Sequence, residues 1–380
     1  MKRAIACLVA LGVIGSLGIG LSARAQSPTG DTQLENQDHY WRAEVTEILE
    51  EGTRELAEGL VKLPFQRVGL KFLNGEKAGQ EIIIEHGDST ELRPEQLVAQ
   101  GDTVVVLESQ ALGDTRYFIV DRYRLPPIAI ILAVFLALAI FIGRWKGLGS
   151  LIGLALSVFV LVKLVMPRIV AGSDPLLVSL LAAFGIALFS IYLAHGVSRR
   201  TTVALMATLL TLGLAAGLAA LFVELAHLTG LGSDEAFYLQ VGALTTLNAR
   251  GLLLGGIIIG ALGVLDDITT AQVATVDELH QANPALSRSE LYRRAASVGK
   301  EHIAALVNTL ALAYVGASFP LLLLFATNVD QPVWFLLNGE LVTEEIVRTL
   351  VGSTALLCAV PLTTWLAVRF LHKGPRQPSS

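Results

Sequence analysis

Long apolar runs dominate the C-terminal two thirds of the chain. They lie near residues 126–143, 148–166, 175–195, 203–226, 250–266, 301–327 and 347–370. Each is close to the ~20 residues that an α-helix needs to cross the ~30 Å hydrocarbon core of a bilayer. The pattern therefore predicts a polytopic α-helical membrane domain of seven transmembrane helices within residues 126–372, followed by a short cytoplasmic tail at 373–380.

Residues 26–125 show a different pattern, in which short runs of β-branched and aromatic residues alternate with Gly, Asp and Asn. The five runs are WRAEVTEILE, QRVGLKFL, QEIIIEHG, DTVVVLES and RYFIVDRY. Five such runs in about 90 residues predict a small β-rich domain of the OB or barrel type. The stretch LEEGTRELAEGL, residues 49–60, is predicted to add one helix, and the prolines at 126–127 end the domain.

The first 25 residues have the three parts of a secretory signal peptide. Lys2 and Arg3 precede an apolar stretch, and residues 23–25 form an Ala-Arg-Ala cleavage motif. An uncleaved membrane anchor is the alternative, because the apolar stretch is slightly long for a signal peptide. In both cases residues 26–125 are expected outside the cytoplasm.

Composition and charge favour a membrane protein with an acidic exported domain. The 380 residues are 53% hydrophobic and 16% charged, and their mean hydropathy is +0.60. The net charge is -5, but residues 31–125 alone hold 19 acidic and 10 basic residues, so nucleic-acid binding is not expected. The two cysteines, Cys7 and Cys358, lie outside that domain, which excludes a disulfide within it.

The placement of Lys and Arg predicts the orientation in the membrane. If the first helix starts outside at Leu125, the inner loops hold eleven basic residues and the outer loops hold four. Basic residues are enriched on the cytoplasmic side of membrane proteins. We therefore expect a multi-pass protein of the bacterial cytoplasmic (inner) membrane, with its β-rich domain extracytoplasmic and its C-terminus inside.

The fifth apolar run ends on two aspartates, Asp266 and Asp267. If the helix continues at 100° per residue, six polar residues share one third of its circumference, and Asp267 and Glu278 stack on its flank. The six are Asp266, Thr269, Thr270, Asp277, His280 and Gln281. This pattern predicts an amphipathic cytoplasmic hairpin over residues 266–300, with its turn at Asn283-Pro284 and a capping box from Ser287 to Glu290.

The sixth run brings further polar residues to the same inner boundary of the membrane. Ionisable groups at that depth are costly unless they are paired or line a wet cavity. We therefore predict a proton or ion pathway, and the alternative is that these charges only mark where the helices leave the membrane. No pair has a recognised metal-ligand spacing, so no metal site is expected. The predicted pathway residues are Asp266, Asp267, Thr270, Asp277, Glu278, His280, Glu301, His302 and Asn308.

Glycines predict where helices pack closely. Two GxxxG steps and one further glycine lie in the fifth run, and GxxxG lets helix backbones approach each other. The glycines are Gly251, Gly255, Gly256, Gly260 and Gly263. This helix is therefore expected to be the central and most enclosed one, and Pro320 is expected to kink the next.

The stretch RGLLLGGIIIGALGVLDDITTAQVATVDELHQANPALSRSELYRRAASVGKEHIAALVNTLALAYVGASFPLLLLFAT, residues 250–327, resembles the YibE/F-like family of bacterial multi-pass membrane proteins. The resemblance covers roughly residues 126–370. It implies the same layout, with an exported domain before the membrane body, and a role as a transporter without an assigned substrate.

Two functions stay open. The first is a permease or ion- or proton-coupled transporter, whose pathway runs beside the fifth and sixth helices. The second is a non-transporting membrane factor whose exported domain binds a partner or assists export or assembly. An enzyme is not expected, because GVLDD is not the GxGD pattern and neither GxSxG nor HExxH occurs. No cofactor is expected, and the expected partners are the lipid bilayer and a second copy or a paired membrane protein of the same family.

Overall fold

The computed structural model describes residues 38–56, 61–87, 92–111, 114–327 and 332–372. The described residues divide into a β-rich unit and a helical unit, with the boundary between residues 137 and 138. The predicted signal peptide at 1–25 and the tail at 373–380 lie outside the described residues.

The β-rich unit is built on one antiparallel sheet in the order β3-β2-β1-β4-β5. All five predicted runs form strands, because alternate side chains of each run pack on one apolar side of the sheet. The sheet curves so that its edge strands β3 and β5 approach each other, which gives a half-barrel. The strands are β1 (His39–Leu56), β2 (Val61–Phe72), β3 (Glu81–His86), β4 (Thr103–Ala111) and β5 (Asp114–Arg122).

The helix predicted at residues 49–60 is wrong where the structure describes that stretch. β1 continues to Leu56, and its residues pair with β2, for example Glu51 with Gln66. The Glu- and Leu-rich composition that suggested a helix is only a weak preference. The continuous ladder of backbone hydrogen bonds with β2 outweighs it.

A buried ion pair lies against the core of the sheet. Glu108 on β4 is 5% exposed. Its carboxylate accepts hydrogen bonds from Trp41 Nε1 at 2.6 Å and from Lys77 Nζ at 2.5 Å. Lys77 also donates to the Tyr117 hydroxyl at 2.7 Å. Burial alone would raise the pKa of Glu108, but the hydrogen bonds from Lys77 and Trp41 outweigh it and lower that pKa.

The helical elements follow in chain order. They are α1 (Leu125–Val160), α2 (Met166–Val170), α3 (Pro175–His195), α4 (Arg199–Leu225), α5 (Asp234–Tyr238), α6 (Ala249–Ala282), α7 (Arg288–Ala317), α8 (Phe319–Thr327), α9 (Val333–Asn338) and α10 (Glu340–Leu371). Short π-helical turns at Leu161–Val165 and Leu239–Ala243 follow α1 and α5.

Among the residues that the structure describes, five helical segments are long and apolar enough to cross a membrane, so the chain is a membrane protein. They are Leu125–Val170, Pro175–His195, Arg199–Leu225, Ala249–Ala282 and Glu340–Leu371. The first segment contains the first two predicted runs, which are separated by a sharp bend at Arg144 (φ 49°, ψ -130°). The sixth run is divided at Ser318, two residues before Pro320, so neither α7 nor α8 alone is a candidate span. The count of seven spans thus stays a prediction.

The helix α6 lies at the centre of the helical unit. It packs against α3, α4, α7 and α10, as its glycine content predicts. It is hardly more enclosed than α10, however, because α10 has 14 buried residues among its 32 and α6 has 15 among its 34. α6 ends at Ala282, directly before Asn283-Pro284, and the Ser287 side chain accepts a hydrogen bond from Glu290 N at the start of α7.

Candidate functional site

A layer of buried polar residues divides the interior of the helical unit. On one side lies a large apolar cluster that includes Leu265, Ile268 and Val360. On the other lies a second apolar cluster that includes Val273 and Leu366. Between them, three helices contribute two polar residues each, and all six are fully buried. They are Thr208 and Thr211 on α4, Thr269 and Gln272 on α6, and Thr363 and Thr364 on α10. We call these six residues the polar layer.

Hydrogen bonds join the helices across the polar layer. The hydroxyls of Thr208 and Thr269 lie 2.6 Å apart and connect α4 to α6. Gln272 Nε2 donates to Thr364 Oγ1 at 2.8 Å and to Ala295 O at 2.9 Å, which connects α6 to α10 and α7. Gln272 Oε1 and Thr363 Oγ1 are buried without a hydrogen-bond partner among the described residues. The layer is therefore only partly satisfied, which is uncommon for buried polar groups.

Asp266 lies at the edge of the polar layer, near the middle of α6. Its Oδ2 is 3.5 Å from Ser190 Oγ on α3, and its Oδ1 is buried and has no hydrogen-bond partner in the described part of the chain. The hydroxyl of Thr270 donates to the backbone carbonyl of Asp266 at 2.9 Å and thus does not reach its carboxylate. A half-buried carboxyl group with so few donors is costly, and an ionisable residue inside a membrane helix is a functional candidate by default.

Other predicted pathway residues of α6 lie further out. Asp267 and Glu278 are exposed, whereas Thr270, Asp277 and His280 are half-buried. Arg200 at the start of α4 lies 3.6 Å from Asp277 and 3.4 Å from Glu278, and forms ion pairs with both. His280 packs against His372, with the two ring centroids 5.0 Å apart. These contacts tie the end of α6 to α4 and to the residue after α10.

The predicted residues of α7 do not join the buried layer. Glu301, His302 and Asn308 are all exposed on that helix. The side of α7 that packs against α6 and α10 instead carries Leu291, Ala295 and Gly299, which are buried. The hydrophobic pattern thus located the helix, but its polar residues lie on the side away from Gln272.

The predicted packing glycines differ from one another in their surroundings. A Cβ on Gly255 would collide with Ser179 of α3, so the two helices are in close contact there. Gly256 and Gly263 have open space where a Cβ would point. A Cβ on Gly260 would lie 4.0 Å from the hydroxyl of Tyr314, which is an ordinary contact distance. A Cβ on Gly251 would meet the side chain of Asn248, which caps the start of α6.

Residues that sequence reasoning missed make up most of the polar layer. Of its six members only Thr269 belonged to the predicted polar face of α6. Gln272 follows Thr269 by three residues, and Thr208, Thr211, Thr363 and Thr364 interrupt otherwise apolar runs. Threonines in apolar runs are common in membrane helices because they hydrogen-bond the backbone of their own helix. The available signal for the polar layer was that these threonines occur in pairs in two of the helices.

The β-rich unit offers a second candidate, a groove of about 500 Å³. Its lining includes His86 of β3 and Phe118 and Arg122 of β5, and thus the two edges of the half-barrel. Burial lowers the pKa of His86, although its contact with Gln96 O opposes the shift. Arg122 is engaged with Leu97 O at 2.6 Å and with Asp102 at 3.5 Å. No group of three or more His, Cys, Asp or Glu that could hold a metal occurs in the described residues of either unit.

Comparisons with known proteins match the helical unit. A family model described as YibE/F-like protein matches residues 131–373. A search of curated proteins and a search of solved structures found no match.

Proposed function

Since the chain belongs to the YibE/F-like family, we propose that this membrane protein is a permease or an ion- or proton-coupled transporter, with its pathway through the polar layer. The observation that carries the proposal is the combination of a buried, partly satisfied polar layer with the carboxyl group of Asp266 at its edge. Polar groups inside membrane helices mark ion and substrate routes. Since Thr269 and Gln272 fall within the predicted cytoplasmic hairpin of residues 266–300, the polar layer would form the cytoplasmic end of the route.

The finer topology is part of the same proposal. Seven spans follow if the two arms of the first helical segment, before and after Arg144, each cross the membrane and α7 and α8 together form one further span. With a signal peptide at residues 1–25, the half-barrel is then periplasmic and the hairpin of residues 266–300 is cytoplasmic. A second copy or a paired protein of the same family would complete the assembly in the inner membrane. No enzymatic step is included.

Cysteine accessibility tests the pathway without knowledge of the substrate. In a Cys358→Ala background, single cysteines replace Thr208 and Thr364 in the polar layer, and Ala215 in the apolar cluster serves as the matched control. We expect a small membrane-impermeant thiol reagent to modify the two polar-layer cysteines in intact vesicles and to leave the control unmodified. If all three stay unmodified at every pH and membrane potential tried, water does not reach the layer and the transport proposal fails.

A second function is supported by the groove between β3 and β5. Edge strands leave backbone donors and acceptors unpaired, and a partner in an extended conformation can pair with them. In that case the protein is a non-transporting factor and the helices anchor it. Deletion of residues 39–122 distinguishes the two proposed functions. It would abolish binding of a partner by the half-barrel and leave thiol access to the polar layer unchanged.

A further inference from the structure

The surroundings of Asp266 restrict the ion that it can bind. Its carboxyl group has one hydroxyl within reach, that of Ser190, and one oxygen without a partner in the described residues. A carboxylate in such a place lacks the donors that normally compensate its charge. Whatever neutralises it must therefore bind directly to a carboxyl oxygen.

A metal cation would need more oxygen ligands than this place offers. Hard cations are held by about six oxygen atoms in proteins. Among the described residues, Ser190 Oγ is the side-chain oxygen within hydrogen-bond distance of the Asp266 carboxyl group, because the hydroxyl of Thr270 contacts the backbone carbonyl Asp266 O instead. Two carboxyl oxygens and Ser190 Oγ are then the ligands left, which is too few for a dehydrated cation but sufficient for a proton.

The charged and titratable groups around Asp266 also fit proton exchange. On α6 its neighbour is Asp267, which is exposed, and His195 at the end of α3 acts electrostatically on Asp267. α4 and α10 present threonine hydroxyls towards α6, and the titratable residues Glu301 and His302 of α7 are exposed. Asp267 is thus the exposed acidic neighbour of the Asp266 carboxyl group.

We propose that the ion handled by this protein is the proton, which binds to and leaves the carboxyl group of Asp266. The inference rests on the proposed transport function and specifies its ion. In the protonated form, Asp266 is a neutral acid, whose partly buried position costs less than that of a carboxylate. In the ionised form, it favours a conformation in which water reaches it.

A hydrophobic carbodiimide tests the proposal, because it forms a stable adduct with protonated carboxyl groups in apolar surroundings. The full-length protein in lipid vesicles is treated with dicyclohexylcarbodiimide over a range of pH, with and without sodium or potassium chloride, and the adduct is located by peptide mass spectrometry. We expect an adduct on Asp266 that decreases as pH rises and does not change with either salt. Asp266→Asn should reduce labelling to background. Glu224→Gln should not, because Glu224 is exposed and paired with Arg250.

Two results would overturn the proton inference: protection of Asp266 by sodium or potassium at constant pH, or no adduct at any pH. The outcome is separable from that of the transport proposal. If Asp266 is labelled in a proton-dependent way while cysteines at positions 208 and 364 are never modified, Asp266 binds a proton and the pathway is absent. If those cysteines react and a cation protects Asp266, the pathway exists and the ion is not the proton.

Discussion

Replacement of Lys77 by methionine should destabilise the half-barrel through Glu108. The substitution keeps an unbranched side chain, one atom shorter, but removes the hydrogen bonds to Glu108 at 2.5 Å and to Tyr117 at 2.7 Å. Glu108 is 5% exposed, so water cannot fully replace the lost donor. Its carboxylate would retain the indole N–H of Trp41 as its hydrogen-bond donor, apart from the weaker contact with Tyr117 at 3.4 Å.

The magnitude follows from the number and kind of bonds lost. A hydrogen bond to a charged group contributes ~1.5–3 kcal/mol, and breaking a buried pair by removing one partner costs ~3–5 kcal/mol. The Lys77 side chain is 23% exposed, which screens the pair, so we expect a loss of about 2–3 kcal/mol. Glu108→Gln should cost a similar amount, because Trp41 and Lys77 donate to different carboxylate oxygens, and glutamine replaces one of these with an NH2 group that cannot accept a hydrogen bond.

Hydrogen exchange of the full-length protein measures this effect locally. The readout is the protection of peptides from β1 and β4, corrected for intrinsic exchange rates. About 1.4 kcal/mol corresponds to a tenfold change in the equilibrium constant for opening. The expected loss of stability therefore gives roughly 30- to 150-fold faster exchange of amides that exchange by global opening of the sheet. Trp41→Phe serves as a control that removes a neutral donor and should cost less.

The pH dependence has a definite sign. The pKa of Glu108 is lowered, so its stabilising contribution is complete above the ordinary value of 4.5 and is lost as pH falls through the folded-state pKa. Burial alone would lower the pKa of Lys77, but its hydrogen bonds to Glu108 and Tyr117 raise it above 10.5, so its contribution is lost only at strongly alkaline pH. The difference between wild type and Lys77→Met should thus shrink in acid. Equal protection at neutral pH, or losses that are additive in the Lys77→Met/Glu108→Gln double variant, would refute the reasoning.

Further predictions concern the helical unit. Thr208→Val should lower the stability in detergent by ~0.6–1.7 kcal/mol, because it removes the hydrogen bond to Thr269. Thr363→Val should be nearly neutral, because the hydroxyl of Thr363 has no hydrogen-bond partner among the described residues. Glu340→Ala should free the loop before α5, because Glu340 Oε1 accepts from Thr229 N at 2.6 Å and from Gly230 N at 3.0 Å. Faster exchange at residues 229 and 230 would verify this, and an unchanged loop would contradict it.

The hydrophobic pattern predicted the elements well but not their faces. Five strands and the apolar helices follow from runs of residues, which depend on local composition alone. Residues 49–56 were mistaken because pairing of β1 with β2 is a contact between distant parts of the chain. The polar layer was missed for the same reason: Thr208, Gln272 and Thr364 become one feature only when α4, α6 and α10 pack together.

Asp266 shows how far sequence reasoning reached at the site. Its charge after an apolar run marked it as unusual, and the structure buries one of its carboxyl oxygens. Its predicted companions on α7, Glu301 and Asn308, share one face of that helix but are exposed. Helical periodicity states which residues lie together on one helix, and it carries no information on which face meets the neighbouring helix.

Gly255 and Gly256 provide a test of that distinction, because the sequence gives both the same role in a GxxxG step. A Cβ on Gly255 would lie 2.9 Å from Ser179 Cβ and 3.3 Å from Pro175 O, whereas nothing lies within 4 Å of a Cβ on Gly256. Gly255→Ala should therefore push α3 away from α6 and cost ~1–3 kcal/mol, as overpacking does elsewhere. Gly256→Ala should be neutral or slightly stabilising, since alanine is the better helix former by ~1 kcal/mol. Thermal unfolding in detergent measures both, and equal losses would mean that α6 packs against another helix through Gly256.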